Sequence, residues 1–564
     1  RVYYKDNIAG GVTLQNFYMT AGGTNWGHLA APVVYTSYDY GSPITESRQL
    51  TTKLNENKLL GHLLLAVPDM AQTDAFVAQV ANNAVLQVRA RRNPTTGMEF
   101  RVFRNSIATI SSTETFHAAN VAGYAAIPQE PGTSISLQGR DSKLLLANLA
   151  FAGGHKLVYS TSEVMTIMTV GPREIIVLYA EAGQAGETVL AAGATATATS
   201  LLPNGPATSF SLDKNGIRLN YAHTSDTLQP ILVKGAGTAG RDLLVLVVDR
   251  TVTTQLWPAR APGSDPTSPP DILVRGPQLV RSASVSPRGA VSMVADLAAD
   301  TVVEVFAAGA KAILVNQVWA TNVGFTAYGS IMGFIAGPGS APTLPSLDRW
   351  KVVPATAEPE ADLAFDDSNW QVCNKMQSNL IPAPTAGSPS LYADDYGFHV
   401  GHSTYRGHFN AIGTEEWLTL EAQGGAAFAL LAWLNGDFLG SFVGTATASS
   451  TRSSFAIPKD SLHPNSDNVI LVIVDNMGQE EGGGGPSNLG KSYRGLANAI
   501  LWLAKSSSDA APTIEWKING NPGGEHLADT VRGPYNVGGL FGERAGYHLP
   551  GFPDDGWKDV GNSH

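Results

Sequence analysis

The residues most able to do chemistry lie near the start of the chain. Met19-Thr-Ala-Gly-Gly-Thr-Asn-Trp-Gly27 is a turn-rich run in which Gly22 and Gly23 let backbone segments approach closely, while Thr24, Asn25 and Trp26 add donors and a stacking plane. Tyr35-Thr-Ser-Tyr-Asp-Tyr40 follows, then Gly41-Ser42-Pro43 and Glu46. Aromatic faces pack against the C–H faces of a sugar, and fixed hydroxyl and amide groups pair with its hydroxyls. This constellation therefore suits a polyol pocket.

Other constellations carry less. Gly235-Ala-Gly-Thr-Ala-Gly240 matches the spacing of a dinucleotide loop, but strand-like sequence follows it where a pyrophosphate needs a helix N-terminus. It is read as a hairpin turn. His399, His402 and His408 resemble metal-ligand spacing, yet 399 and 402 fall on opposite faces of a strand and no cysteine or placed carboxylate completes a set. Asp366-Asp367 and Glu480-Glu481 are adjacent acids, whereas glycosidase carboxylates meet across a cleft from different strands. No Gly-x-Ser-x-Gly elbow is present, and the one cysteine, Cys373, excludes a disulfide within the chain.

The elements that must position the first cluster come next. The chain has 564 residues, enough for several domains, and is 43% hydrophobic but only 15% charged. With 59 glycines this composition points to a β-rich, turn-rich architecture. A net charge of −11 argues against nucleic acid and anionic membranes as partners, and no apolar run reaches membrane-spanning length. Residues 12–19 and 33–38 are strand candidates. Residues 45–65 have helical periodicity, with Thr45 or Ser47 as cap and Pro68 beyond the end. Strand, loop, strand and helix over residues 1–70 read as the tail of an α/β domain. Beyond residue 71, short apolar runs between Gly, Pro and Asp turns imply antiparallel sandwiches. Residues 258–270 read as a proline-rich linker, and Asn435-Gly436 as a hairpin turn. Trp350, Trp370, Trp417, Trp433 and Trp502 are expected in a sandwich core.

The chain resembles the large fungal-type branch of glycoside hydrolase family 35, the β-galactosidases. The matching runs are residues 16–27, Tyr35-Thr-Ser-Tyr-Asp-Tyr-Gly-Ser-Pro43, Glu46-Ser-Arg48, Leu137-Gln-Gly-Arg-Asp-Ser-Lys143 and Tyr159-Ser-Thr-Ser-Glu163. They continue at residues 396–401, Tyr405-Arg-Gly-His-Phe409, Asp475-Asn-Met-Gly478, Arg494-Gly495, Val531-Arg-Gly-Pro-Tyr-Asn536 and residues 538–540, with Glu543-Arg544 after them. One departure is residues 479–486, which lack the tryptophan that fungal relatives often carry there.

The resemblance implies a multidomain, mainly β chain. Its expected parts are the C-terminal remnant of a (β/α)8 barrel at 1–70, a large β-sandwich at 71–257, a small β-sandwich at 258–342, a jelly roll at 343–510 and the start of a second jelly roll at 511–564. The chain is expected to be cut at both ends. The implied chemistry is a retaining exo-β-galactosidase acting on lactose, galacto-oligosaccharides or plant wall galactans, without a cofactor, secreted and monomeric. Both catalytic glutamates would precede Arg1, so this chain alone is expected to be inactive. Tyr40 and Tyr18 match tyrosines that line the family's galactose site, while Asn25 and Trp26 are read as shaping the loop. Residues 1–70 are expected to expose apolar surface, so that deleting them improves solubility. The alternative is a non-catalytic carbohydrate-binding or structural β-sandwich protein; segment 1–70 tells against it, since a binding module has no use for a barrel piece.

Overall fold

The computed structural model describes residues 2–24, 37–81, 83–202, 205–238, 240–339, 343–344, 350–354, 358–477, 492–521 and 540–560. The chain divides into two compact units, one of Arg1–Tyr18 with Leu50–Thr343 and the other of Met19–Gln49 with Leu344–His564. Sheets dominate both. Among the described residues no helix is long and apolar enough to cross a membrane.

The first unit opens on a helix that the sequence reading missed, α1 (Val2–Ala9). Gly10 and Gly11 follow it, Gly11 with a φ of 97°. Residues 12–19, expected as a strand, form no ladder. Side chains hold this segment to α1 instead: Gln15 Nε2 donates to the Tyr4 carbonyl (3.3 Å) and Phe17 packs on Tyr4 with ring centroids 4.7 Å apart. The second helix, α2 (Thr52–Ala66), starts later than expected. Thr51 is its cap and accepts from the Lys53 amide (3.3 Å). Thr45 and Ser47 close a tight turn ahead of it, the Thr45 hydroxyl accepting from the Gln49 amide (3.0 Å). Pro68 lies just past the helix end, as expected. Thr45–Ser47 cannot cap the helix because that turn already uses them.

Both helices pack on a two-sheet sandwich. One sheet has eight antiparallel strands from Asp74–Phe76 to Ser209–Asp213; the other has five, Glu163–Val170 to Ala192–Ser200 at its edges. One pair in the five-stranded sheet, Arg173–Ala180 with Asp242–Asp249, is parallel, a departure from the antiparallel expectation. Their facing apolar sides form one core that includes Phe100, Leu144, Leu178 and Val245, with Ile8 and Ala9 of α1 and Leu60 and Leu63 of α2. Residues 235–240 connect two antiparallel strands, Leu228–Ala236 and Asp242–Asp249, which bears out the hairpin reading. Residues 258–270 are likewise no linker between bodies. They join Leu256–Ala259 to Ile272–Arg275, which pair antiparallel as neighbours in a further five-stranded sheet of the first unit.

The second unit is a sandwich of a six-stranded and a three-stranded sheet. Asn435 and Gly436 turn between Ala429–Leu434 and Asp437–Val443 with φ of 50° and 93°, the geometry an Asn-Gly hairpin prefers. Glu515–Asn521, beyond the expected boundary at 510, pairs along Val400–Asn410 inside the six-stranded sheet, so those residues do not start a separate domain. Trp370 and Trp433 are buried, as expected, but Trp350, Trp417 and Trp502 are exposed.

His223 lies in the sandwich interior of the first unit. Its Nδ1 is 2.6 Å from the Val248 carbonyl and must donate there, so Nε2 accepts from the Ser162 hydroxyl (2.8 Å). Burial pushes the imidazole down to about 4. An unfolded histidine titrates near 6.5. The unfolded chain therefore takes up a proton between these values and the folded chain does not. The stability tied to a neutral His223 is complete above pH ~6.5 and is lost as pH falls towards 4, about 3 kcal/mol in all. His223→Gln is expected to be less stable at pH 7.5 but to lose less stability between pH 7.5 and 5 than the unaltered chain, read from urea midpoints. A second consequence concerns residues 1–70. Since α1 and α2 supply core residues, deleting 1–70 should lower the soluble fraction and increase light scattering, the reverse of the sequence expectation; equal solubility would contradict the packing described.

Candidate functional site

The loop that ends in Tyr40 belongs to the second unit. Gly23–Thr24 and Ser37–Tyr38 form a short antiparallel ladder. Residues 25–36, with Asn25, Trp26 and most of the second strand candidate, lie outside the described residues, as do residues 479–486. Beyond the ladder the chain turns sharply, with positive φ at Tyr40 (43°) and Gly41 (72°). Asp39 Oδ1 accepts from the Glu46 amide (2.7 Å), the Gly22 amide donates to the Ile44 carbonyl (2.7 Å), and Arg48 Nη1 donates to the Gly22 carbonyl (2.9 Å). A Cβ on Gly22 would stand 1.6 Å from Asp39 Oδ1, so this glycine is required for the close approach; Gly23 meets nothing within 4 Å. The knot fixes the backbone at Tyr40 and leaves its side chain 59% exposed.

Tyr18 belongs to the first unit and is 75% exposed. It follows Phe17, whose packing on Tyr4 ties it to α1. The anchor of α1 is ionic. Lys5 Nζ lies 2.5 Å from Glu163 Oε1 and 3.1 Å from the Ser142 carbonyl, all buried. Asp6 pairs with Arg104 (3.1 Å).

Glu163 belongs to a larger cluster around Arg250, the first residue of the short helix α3 (Arg250–Thr254). The guanidinium meets Glu56 of α2, Glu181 (2.6 Å), Asp141 (3.5 Å) and Glu163 (3.5 Å). Burial works against the charge of Arg250, but the surrounding groups, Tyr179 and Glu163 foremost, more than offset it and hold the guanidinium protonated. Lys143 stands beside the same carboxylates, donates to Gln184 Oε1 (2.6 Å), and is pushed down by burial to about 8. Sequence reasoning missed this cluster because its members are far apart in the chain. Asp141, Lys143 and Glu163 do fall in the runs that carry the resemblance.

Beside the cluster lies a cleft of about 980 Å³ whose walls include Leu54, Lys58, Trp257, Arg275, Asp300 and Met332. Lys58 donates to the carbonyls of Thr253 (2.7 Å), Thr254 (3.0 Å) and Leu256 (3.1 Å) and sits over the Trp257 ring, while burial lowers it to about 7. Glu56 and Glu181 at the cleft are both paired with the Arg250 guanidinium, which holds their carboxylates against the cluster. Of the adjacent acids, Glu480 and Glu481 lie outside the described residues, and Asp367 is structural. Asp367 accepts from Arg406 (2.8 Å), His408 (2.8 Å) and Lys517 (2.7 Å); these bonds outweigh burial and hold its carboxyl far below the usual range. His399 and His402 pair with Asp394 and Asp475. No group of three metal-ligating side chains occurs among the described residues.

Four family descriptions match the chain in order. Residues 1–64 match Glycosyl hydrolases family 35, 68–254 match Beta-galactosidase, domain 2, 249–331 match Beta-galactosidase, domain 3, and 365–480 match Beta-galactosidase second all-beta domain. The chain belongs to glycosyl hydrolase family 35. This family 35 chain is 35% identical to a probable beta-galactosidase B of Aspergillus niger over 573 residues, covering all of this chain and 54% of that one. It is 35% identical to the probable beta-galactosidase B of Talaromyces marneffei, over all of this chain and 55% of that one. A probable beta-galactosidase C of Aspergillus niger is 36% identical over 99% of this chain and 54% of its own length. The chain thus spans about half the length of the curated relatives it matches. Among solved structures, an exo-beta-1,3-galactanase from Phanerochaete chrysosporium aligns at 10% identity over 77% of this chain and 82% of that one, with a TM-score of 0.13, too low to bear on the fold.

The ion cluster of this family 35 chain yields a direct test. Arg250→Met leaves buried carboxylates without their counter-charge, which costs about 3–5 kcal/mol. Arg250→Lys should restore only part of the loss, because an ammonium cannot fork between several carboxylates. Urea midpoints of the three proteins check the order.

Proposed function

We propose that this chain is part of a retaining exo-β-galactosidase that removes terminal non-reducing β-galactose from lactose-like disaccharides, galacto-oligosaccharides or wall galactans. The observation that carries the reading is the ordered run of four family matches from residue 1 to residue 480. In a retaining glycosidase two carboxyl groups about 5 Å apart act as nucleophile and as acid then base, and water or another sugar resolves the galactosyl intermediate. That chemistry needs no cofactor. On this reading the two carboxyl groups come from the part of the catalytic barrel that precedes the segment matched at 1–64. Residues 1–70 supply the end of the barrel and part of the pocket wall, and the β-sheet regions after them act as its scaffold. Secretion and a monomeric state belong to the same reading.

Tyr40 and Tyr18 are the residues of this chain assigned to the galactose site. Support comes from their match to the family's tyrosines and from their exposure on segments held firmly from behind. A tyrosine ring walls an apolar sugar face, and its hydroxyl can hydrogen-bond a sugar hydroxyl or the nucleophilic carboxylate.

The test uses a nitrophenyl β-galactoside. The 564-residue chain should give no turnover above a blank preparation, whereas the longer protein that contains it should be active. Tyr40→Phe in the longer protein keeps the ring and removes one hydrogen bond. A loss of about 1–3 kcal/mol corresponds to a roughly 5- to 150-fold lower kcat/KM. Turnover by the 564-residue chain, or an unchanged kcat/KM for Tyr40→Phe, would contradict the assignment.

A further inference from the structure

Trp417 and Trp502 belong to the three-stranded sheet of the second unit, on Glu415–Gln423 and Gly495–Leu503. They are directly opposite one another in the ladder and are 46% and 48% exposed. Their neighbours Leu418 and Leu501 point into the core, so alternation fixes both indoles on the outer face. Directly opposed side chains have Cβ atoms about 4.5–5.5 Å apart, so the two indoles spring from neighbouring points of one face. The Trp502 Nε1 donates to the Thr419 hydroxyl (2.8 Å), which in turn lies 2.7 Å from the Ser454 hydroxyl. The ring is thereby held in one orientation on a rigid element.

The remaining rows of this face mix small, apolar and polar side chains, and their one ion pair sums to zero charge. Ala456 stands opposite Trp417; Ser454 and Ile500 flank Thr419; Arg452 and Asn498 flank Glu421, with Arg452 and Glu421 paired to each other. Each of the two is expected in the core from sequence, and exposed together they leave apolar surface in water unless something covers it.

We propose that this face docks a neutral polysaccharide chain, with Trp417 and Trp502 as stacking platforms for successive pyranose rings and the hydroxyl, amide and ion-pair groups as partners for sugar hydroxyls. Charge selects the class of occupant. The face carries one cation tied to one carboxylate in a chain of net charge −11, which offers nothing to a polyanion. Flat aromatic surface beside short polar groups matches the alternating C–H faces and hydroxyls of a neutral sugar chain. The surface contains neither Tyr18 nor Tyr40, and the inference does not depend on the proposed catalytic reading.

The experiment is affinity electrophoresis of the 564-residue chain in gels holding soluble β-galactan or, separately, polygalacturonate, backed by isothermal titration with the galactan. Retardation by galactan but not by polygalacturonate is expected, with affinity at least tenfold weaker in Trp417→Ala and Trp502→Ala. Trp319→Ala, which removes an exposed indole of the first unit, should bind as the unaltered chain does, which separates this surface from exposed aromatics in general. Ala456→Glu is a second block that touches no core residue and keeps the test valid if an alanine variant unfolds. Any of four results would overturn the proposal: no retardation by galactan, retention of binding in the tryptophan and Ala456→Glu variants, preference for polygalacturonate, or concentration-dependent dimers that vanish in the tryptophan variants, which would make the face an interface between copies.

Discussion

Arg250 has to be charged and has to be buried, and much of the first unit is arranged so that both can hold. An isolated guanidinium out of water is very unfavourable unless carboxylates surround it with good geometry. The carboxylates come from α2 (Glu56), from the eight-stranded sheet's region (Asp141) and from the five-stranded sheet and the turn after it (Glu163, Glu181). Lys5 of α1 shares Glu163. Such a cluster adds little net stability over a well-packed apolar core, yet it is strict about register, because a helix shifted by one turn leaves a buried charge unpaired. It therefore fixes where α1 and α2 sit, while Ile8, Ala9, Leu60 and Leu63 supply the apolar attraction.

The second unit uses the same device on a smaller scale. Arg406, fully buried, donates to Asp367 and to backbone carbonyls of Glu360 and Asp362, and so binds residues 358–367 to the strand Val400–Asn410. Tyr405 beside it accepts from the Leu496 amide and donates to the Leu391 carbonyl. These are residues of a run by which the chain is recognised as a family member. The sequence similarity here marks polar groups that cannot be replaced without leaving a buried partner unsatisfied.

The division of labour in the chain follows from this. Several groups with strongly altered acidity, His223, Arg250 and Asp367 among them, are locked in ion clusters or in the sandwich interior and serve the fold, while Lys58 lines the cleft. Tyr18, Tyr40 and the Trp417–Trp502 pair are exposed aromatics on firmly held backbone, a kind of surface that packs against the C–H faces of sugars. Tyr40 owes its position to Gly22, since only a residue without Cβ lets Asp39 reach the Glu46 amide.

The sequence by itself determined the β-rich class, the family, the Asn435-Gly436 hairpin and the dismissal of the glycine run at 235–240. Each of these rests on local information: apolar runs of strand length, turn chemistry, or motif order. It also pointed to Gly22 as a place of close approach. It did not determine α1, whose weakly amphipathic run becomes helical by packing on the sandwich, nor the ladder-free course of residues 12–19, which depended on whether a partner strand was near. It misread residues 258–270 as a linker because proline content does not tell whether the flanking strands pair. It placed Trp417 and Trp502 in the core because burial depends on strand parity relative to a sheet that only the assembled fold defines. The Arg250 cluster was equally beyond it, since ion pairs between residues 5 and 163, or 56 and 250, leave no periodic trace along the chain and exist only once the tertiary structure brings those side chains together out of water.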